Sequence, residues 1–174
     1  AGNEYNVGSR KGIQNDRPII AHYGVNEEGS GDMYPKGGSM IHNIRHSINN
    51  DSLFRSILIG LNKDFYHQTV TTQQIENYIS KKSGYNFSKV FDQYLRDTTI
   101  PSFEFEISGN TVKYRYTNCI KGFNLPITLK NKKTVVRLEP TDQWKTATLT
   151  KEQLALVTPE GVRSMYYVDP VQLK

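Results

Sequence analysis

Tyr34 and Lys36 stand two residues apart in Gly29-Ser30-Gly31-Asp32-Met33-Tyr34-Pro35-Lys36-Gly37-Gly38, where the chain sets reactive side chains among small ones. Glycines let a backbone bend sharply and approach a ligand, so a phenol held just ahead of a helix can project into a cleft instead of a core. A phenol is protonated at neutral pH and donates a hydrogen bond without carrying charge. The plain alternative is a glycine-rich loop with no chemical task. His42 and His46, four apart on a helical pattern, would share one face, the geometry used by helical zinc sites. The residue after His42 is Asn43, however, where a zinc hydrolase of that design needs Glu, and an amide cannot accept and return a proton. Solvated or partner-facing histidines are therefore expected. Tyr66-His67-Gln68 reads as a helix terminus, Cys119 as a small buried hydrophobe and Trp144 as a core anchor.

Composition narrows the classes. A net charge of +5 with no run of five like charges does not favour nucleic acid as a partner. The one cysteine excludes an intrachain disulfide and, with four histidines, a Cys-rich zinc module. No apolar run approaches the ~18 residues of a membrane span, and no charged-then-apolar leader opens the chain. Its compartment is left undecided.

The elements that must position Tyr34 follow from periodicity. Residues 1–33 have few periodic apolar positions and are expected to be irregular, which suggests a chain cut from something larger. Met40, Ile41, Ile44 and Ile48 then mark a helix, with Pro35 in its first turn and Asp32 capping from just outside. Asp51 opens a second helix, whose Leu53, Phe54, Ile57, Leu58, Leu61 and Phe65 form a broad stripe expected in the core. Thr71 and Gln74 make a capping box for a third, flanked by Val70 and Ile75 at the staple positions and ended by Gly84. A fourth, with Asn86 as cap, carries Val90, Phe91, Tyr94 and Leu95 and stops before Pro101.

From Pro101 the period becomes two. Phe103, Phe105 and Ile107 alternate with polar residues, Gly109-Asn110 is a hairpin turn, and Val112, Tyr114 and Tyr116 alternate with Lys113 and Arg115 beyond it, so that the Glu104 and Glu106 set is expected to face the Lys113 and Arg115 set across the solvent side. Further strands are expected near residues 124–130, 134–139, 143–149 and 164–168. The expected fold is α+β: an antiparallel helical layer in residues 1–100, mostly helical after residue 33, and a small antiparallel β-sandwich in residues 101–174.

The Gly29–Gly38 stretch, the helix from Met40 to Ile48, and Gly60-Leu61-Asn62-Lys63-Asp64-Phe65-Tyr66-His67 together resemble the latter part of the catalytic domain of the aminopeptidase N-like zinc metallopeptidases, the gluzincins. The resemblance implies the truncated end of a thermolysin-like catalytic domain followed by a small β domain. A tyrosine followed by x-Lys-Gly and a helix is that family's transition-state tyrosine, so the resemblance assigns this role to Tyr34, with Lys36 packing or pairing nearby. The family's His-Glu-x-x-His, its downstream zinc-ligating glutamate and its Gly-x-Met-Glu-Asn segment are absent, and by resemblance would lie before Ala1. Zinc is thus expected in the intact parent enzyme and not on this chain, which alone is expected to be inactive. The implied partners are a peptide substrate and the upstream catalytic lobe of the same polypeptide, and the implied location is the cell envelope or periplasm of a bacterium. The alternative is a non-catalytic β-sandwich binding or scaffolding module with a helical support.

Overall fold

The computed structural model describes residues 2–22 and 24–174. Its helices are α1 (Gly2–Ser9), α2 (Pro35–Ile48), α3 (Asp51–Asp64), α4 (Thr72–Ser83), α5 (Ser88–Arg96), α6 (Lys151–Leu154) and α7 (Pro159–Met165). The strands are β1 (Ser102–Ser108), β2 (Thr111–Thr117), β3 (Ile127–Lys130), β4 (Val135–Leu138), β5 (Lys145–Thr148) and β6 (Asp169–Gln172). The chain is α+β.

The opening segment is not all irregular. Gly2–Ser9 is helical although GNEYNVGS has almost no apolar face, because α1 is held by packing against α2 and α7. Tertiary contact overrides weak propensity there. In α2, Pro35 takes the first helical position as expected, while the left-handed Asn49 ends the helix. The cap of α3 is Asn50, whose side chain accepts the Leu53 N–H, and not Asp51, which is instead the first helical residue and pairs with Arg45 at 2.8 Å. The α3 stripe is also less buried than its pattern suggests. Of the stripe only Ile57 is fully enclosed, and Leu58 is 39% exposed, because α3 lies outside α2 and α4 and buries one narrow face.

The expected hairpin forms, and its register pairs Glu104 with Arg115 and Glu106 with Lys113. Phe103, Phe105, Val112, Tyr114 and Tyr116 face inward, while Arg115 Nε lies 2.8 Å from Glu104 Oε2 on the outer face. The sheet order is β5-β2-β1-β6, with β3 and β4 forming a separate antiparallel pair. An all-antiparallel layer fails at β6, which runs parallel to β1. The strand expected at residues 164–168 is displaced for the same reason: α6 and α7 carry the chain back, so that pairing begins only at Asp169. Thr158 caps α7 through the Gly161 N–H, and Pro159 occupies its first turn.

The buried core is continuous across Pro101. Met40, Ile44 and Ile48 of α2 and Val90, Phe91 and Tyr94 of α5 join the inner sheet face, Leu125, Ile127 and Tyr166. Polar groups stitch the same junction. Asn43 donates to the Tyr94 hydroxyl at 3.0 Å and accepts the Tyr167 N–H at 2.8 Å, and Ser47 donates to the Pro126 carbonyl at 2.7 Å. Each buried polar atom so paired avoids the cost of an unmet one.

Candidate functional site

Tyr34 sits at the N-cap of α2, directly after the 3-10 turn Gly31–Met33. Its backbone is held at both ends: the N–H donates to the Gly31 carbonyl at 3.4 Å, and the carbonyl accepts the Gly38 N–H at 2.9 Å. The side chain is 80% exposed. A large aromatic ring on so constrained a turn presents its hydroxyl outward at little further cost in order.

The residues either side of Tyr34 face the other way. Asp32 is buried, and its carboxylate accepts the N–H groups of Gln14 at 2.9 Å and Asn15 at 2.7 Å. It does not cap α2. Ser30 caps the preceding turn instead, accepting the Asp32 N–H at 3.2 Å and donating to Asp16 Oδ1 at 2.6 Å. That hydroxyl holds the Asp16 carboxyl below the usual carboxylate range. Lys36 has no exposed surface, and its ammonium donates to the Asp97 carbonyl at 2.8 Å, just beyond α5. Burial pushes the Lys36 ammonium down, while Asp32, Asp97 and Asp16 oppose the shift. Alternation through Asp32, Tyr34 and Lys36 thus pins the turn to the N-terminal segment on one side and to α5 on the other, leaving the phenol outside.

His42 and His46 do share a face, but they face each other: their Nε2 atoms are 2.9 Å apart and the rings meet edge to face. Both are half-buried, and the His46 ring centroid lies 5.9 Å from that of Tyr166. Burial, then the nearby His42, Arg45 and Lys130, push His46 down to about 4. Cys119 is half-buried, and burial followed by Asp142 raises its thiol to about 11, where it is a poor nucleophile. Trp144 is not a core anchor. It lies half-buried on the outer sheet face, with Lys113 Nζ 4.6 Å and the Arg115 guanidinium 4.3 Å from its ring centroid. A cation on each of two alternate β2 positions fits the indole better than the aromatic-filled interior does. Tyr66, His67 and Gln68 form the turn after α3, with His67 at φ 52° and Gln68 donating to the Asp64 carbonyl at 3.0 Å.

The contacts of Ser30 with Asp16 and of Lys36 with the Asp97 carbonyl carry no signal in spacing, since each joins residues distant in the chain. Asp32 was visible only as a possible cap. Among the described residues, no group of three or more His, Cys, Asp or Glu side chains could hold a metal ion, so the residues present do not make a zinc site. No described helix is long and apolar enough to cross a membrane.

No protein-family model matches this sequence, and no curated protein does. Among solved structures, the fold is similar to that in "Crystal structure of Legionella pneumophila aminopeptidase A in complex with aspartic acid", with 13% sequence identity and a TM-score of 0.52. That likeness covers 80% of this chain and 18% of the other, so this chain spans under a fifth of that protein's length. What the two share is the fold.

Proposed function

We propose that this chain is the C-terminal part of a zinc-dependent aminopeptidase of the aminopeptidase N type, and that Tyr34 is its transition-state tyrosine. In this reading α2 to α5 are the end of a thermolysin-like catalytic domain, and residues 101–174 are the small sandwich-like domain behind it. The observation that carries it is the exposed Tyr34 ring on a turn anchored by buried Asp32 and Lys36. The fold shared with an aminopeptidase supports it. The metal would be held by the part of the parent protein that this chain does not include, because the described residues do not form such a site.

Tyr34 then contributes one hydrogen bond, donated by its O–H to the oxygen that gains negative charge as the scissile carbonyl becomes tetrahedral. The donor is useful because it is already placed. A turn fixed by Asp32 and Lys36 needs no rearrangement as charge develops, and a preorganised donor of this kind is typically worth about 100- to 1,000-fold in turnover. Asp32 and Lys36 are positioning residues.

The test is the parent enzyme assayed on an amino-acid anilide. Tyr34→Phe is expected to lower kcat by about 100- to 1,000-fold with KM nearly unchanged. Unchanged kcat would overturn the assignment. The 174-residue chain with added zinc is expected to release no anilide.

A further inference from the structure

The Nε2 atoms of His42 and His46 lie 2.9 Å apart, one helical turn from each other on α2. Their ring centroids are 4.3 Å apart and the ring planes stand at 84°. A straight N–H···N bond between two imidazoles would set the centroids about 5 Å apart, so these rings meet at an angle and not end to end. Both nitrogens are turned toward a common point beside the line that joins them.

That arrangement fits two bonds to one metal ion. Imidazole nitrogen binds first-row metals at about 2.0–2.1 Å, and two such bonds at about 90° place the nitrogens about 2.9 Å and the ring centroids about 4.5 Å apart. A tetrahedral angle needs about 3.3 Å and about 5.2 Å. The observed 2.9 Å and 4.3 Å match the first set. Right angles between neighbouring ligands belong to the square-planar or tetragonal geometry of Cu(II) and Ni(II), not to tetrahedral zinc.

The helix holds the pair ready. Asn43, between the two, is tied to the Tyr94 hydroxyl at 3.0 Å and the Tyr167 N–H at 2.8 Å, and Ser47, just after them, to the Pro126 carbonyl at 2.7 Å. α2 therefore cannot turn or slide without breaking buried hydrogen bonds, which fixes the spacing of the rings. Both histidines keep part of their surface in solvent, the side from which an ion and its remaining waters come.

The surrounding charge narrows the choice of ion. Arg10 and Arg45 act on His42, and Arg45 and Lys130 on His46, so every divalent ion meets the same repulsion. It is partly offset, because Asp51 engages Arg45 at 2.8 Å. Mg(II) and Ca(II), which take oxygen ligands, gain nothing from imidazole to set against it. Cu(II) gains most, since it stands highest in the first-row affinity order.

We propose that His42 and His46 form a two-imidazole copper(II) site, with the ion on both Nε2 atoms in neighbouring positions and water in the others. Both rings then adopt the Nδ1–H tautomer, so the proton between the Nε2 atoms moves to the other nitrogen of its ring. Among the described residues no third His, Cys, Asp or Glu joins the pair, which makes it an open site. It is independent of the role assigned to Tyr34.

Titration of the 174-residue chain at pH 7 with Cu(II), supplied as its glycine complex, is expected to fill one site per chain before any other. Ni(II) and Zn(II) are each expected to bind at least about tenfold more weakly, and Mg(II) not to saturate. Electron spin-echo modulation of the copper-loaded chain should show two imidazole ligands. His42→Gln and His46→Gln are each expected to weaken copper by about tenfold or more. His67→Asn, which suits the φ of 52° at that position, should leave it unchanged. Should circular dichroism show that a variant on α2 does not fold, the two-imidazole signal and the order of metals in the unsubstituted chain decide. Absence of saturable copper binding, a signal from one imidazole or none, zinc bound as tightly as copper, or copper affinity unchanged in either folded α2 variant would each overturn the proposal.

Discussion

A lysine without exposed surface must be held by what surrounds it, and Lys36 is held by the Asp97 carbonyl and the field of Asp32, Asp97 and Asp16. Lys36→Met keeps much of the stem's packing but leaves that carbonyl without its donor and the carboxylates without their cation. The expected loss is about 3 kcal/mol, read as a lower urea midpoint with an unchanged slope. Tyr34→Phe in the same assay should stay within about 0.5 kcal/mol, because its hydroxyl lies outside. That contrast separates the residue that would do chemistry from those that only place it. Tyr34 was legible in the sequence because glycines and a proline frame it. The reach of Lys36 to Asp97 was not, since sixty-one positions separate the two and nothing local marks the pairing.

At the level of elements, local caps were the most legible features and long-range packing the least. The Thr71–Gln74 box is present in both directions, with Thr71 accepting the Gln74 N–H and Gln74 accepting the Thr71 N–H. Thr71→Ala is accordingly expected to cost about 1 kcal/mol. The segment around α7 misled because Ser164, Met165, Tyr166, Tyr167 and Val168 read as a strand, although Thr158 and Pro159 just before Gly161 are helix-start residues. The structure supplies the reason for that glycine: a Cβ at Gly161 would lie 2.6 Å from the Leu156 carbonyl oxygen. Two effects compete in Gly161→Ala. Helix propensity favours alanine by about 1 kcal/mol, whereas forcing backbone apart at so short a distance costs about 1–3 kcal/mol. The clash wins, so thermal unfolding should show a lower Tm. A higher Tm would mean that the Leu156 turn yields easily. α1 offered even less to read, being a helix with no apolar stripe that exists through its contacts with α2 and α7.

For the molecule as a whole, the junction between the helical half and the sheets carries its own pH dependence. His42 and His46 meet on α2, with Arg45 beside them, Lys130 approaching from β3, Asp51 from α3 and Tyr166 against the His46 ring. Burial, then Arg10 and Arg45, lower His42, while burial, then His42, Arg45 and Lys130, bring His46 to about 4, so the His46 imidazole stays neutral in the fold well below the ordinary histidine range. The unfolded chain takes up protons near pH 6.5 and the folded chain does not. Acid therefore favours unfolding: the stabilisation is complete above about pH 6.5 and is lost as pH falls toward about 4. Arg45 and Asp51 remain ion-paired through this window, because their mutual hydrogen bonds hold the Asp51 carboxyl below its usual range. The expected loss between pH 7 and about pH 5 is about 2 kcal/mol. His46→Gln removes the more strongly shifted group, so its urea midpoint should fall much less than that of the unsubstituted chain over the same interval. Equal slopes for the two proteins would show that carboxylates, and not this histidine pair at the junction, set the acid limit of the fold.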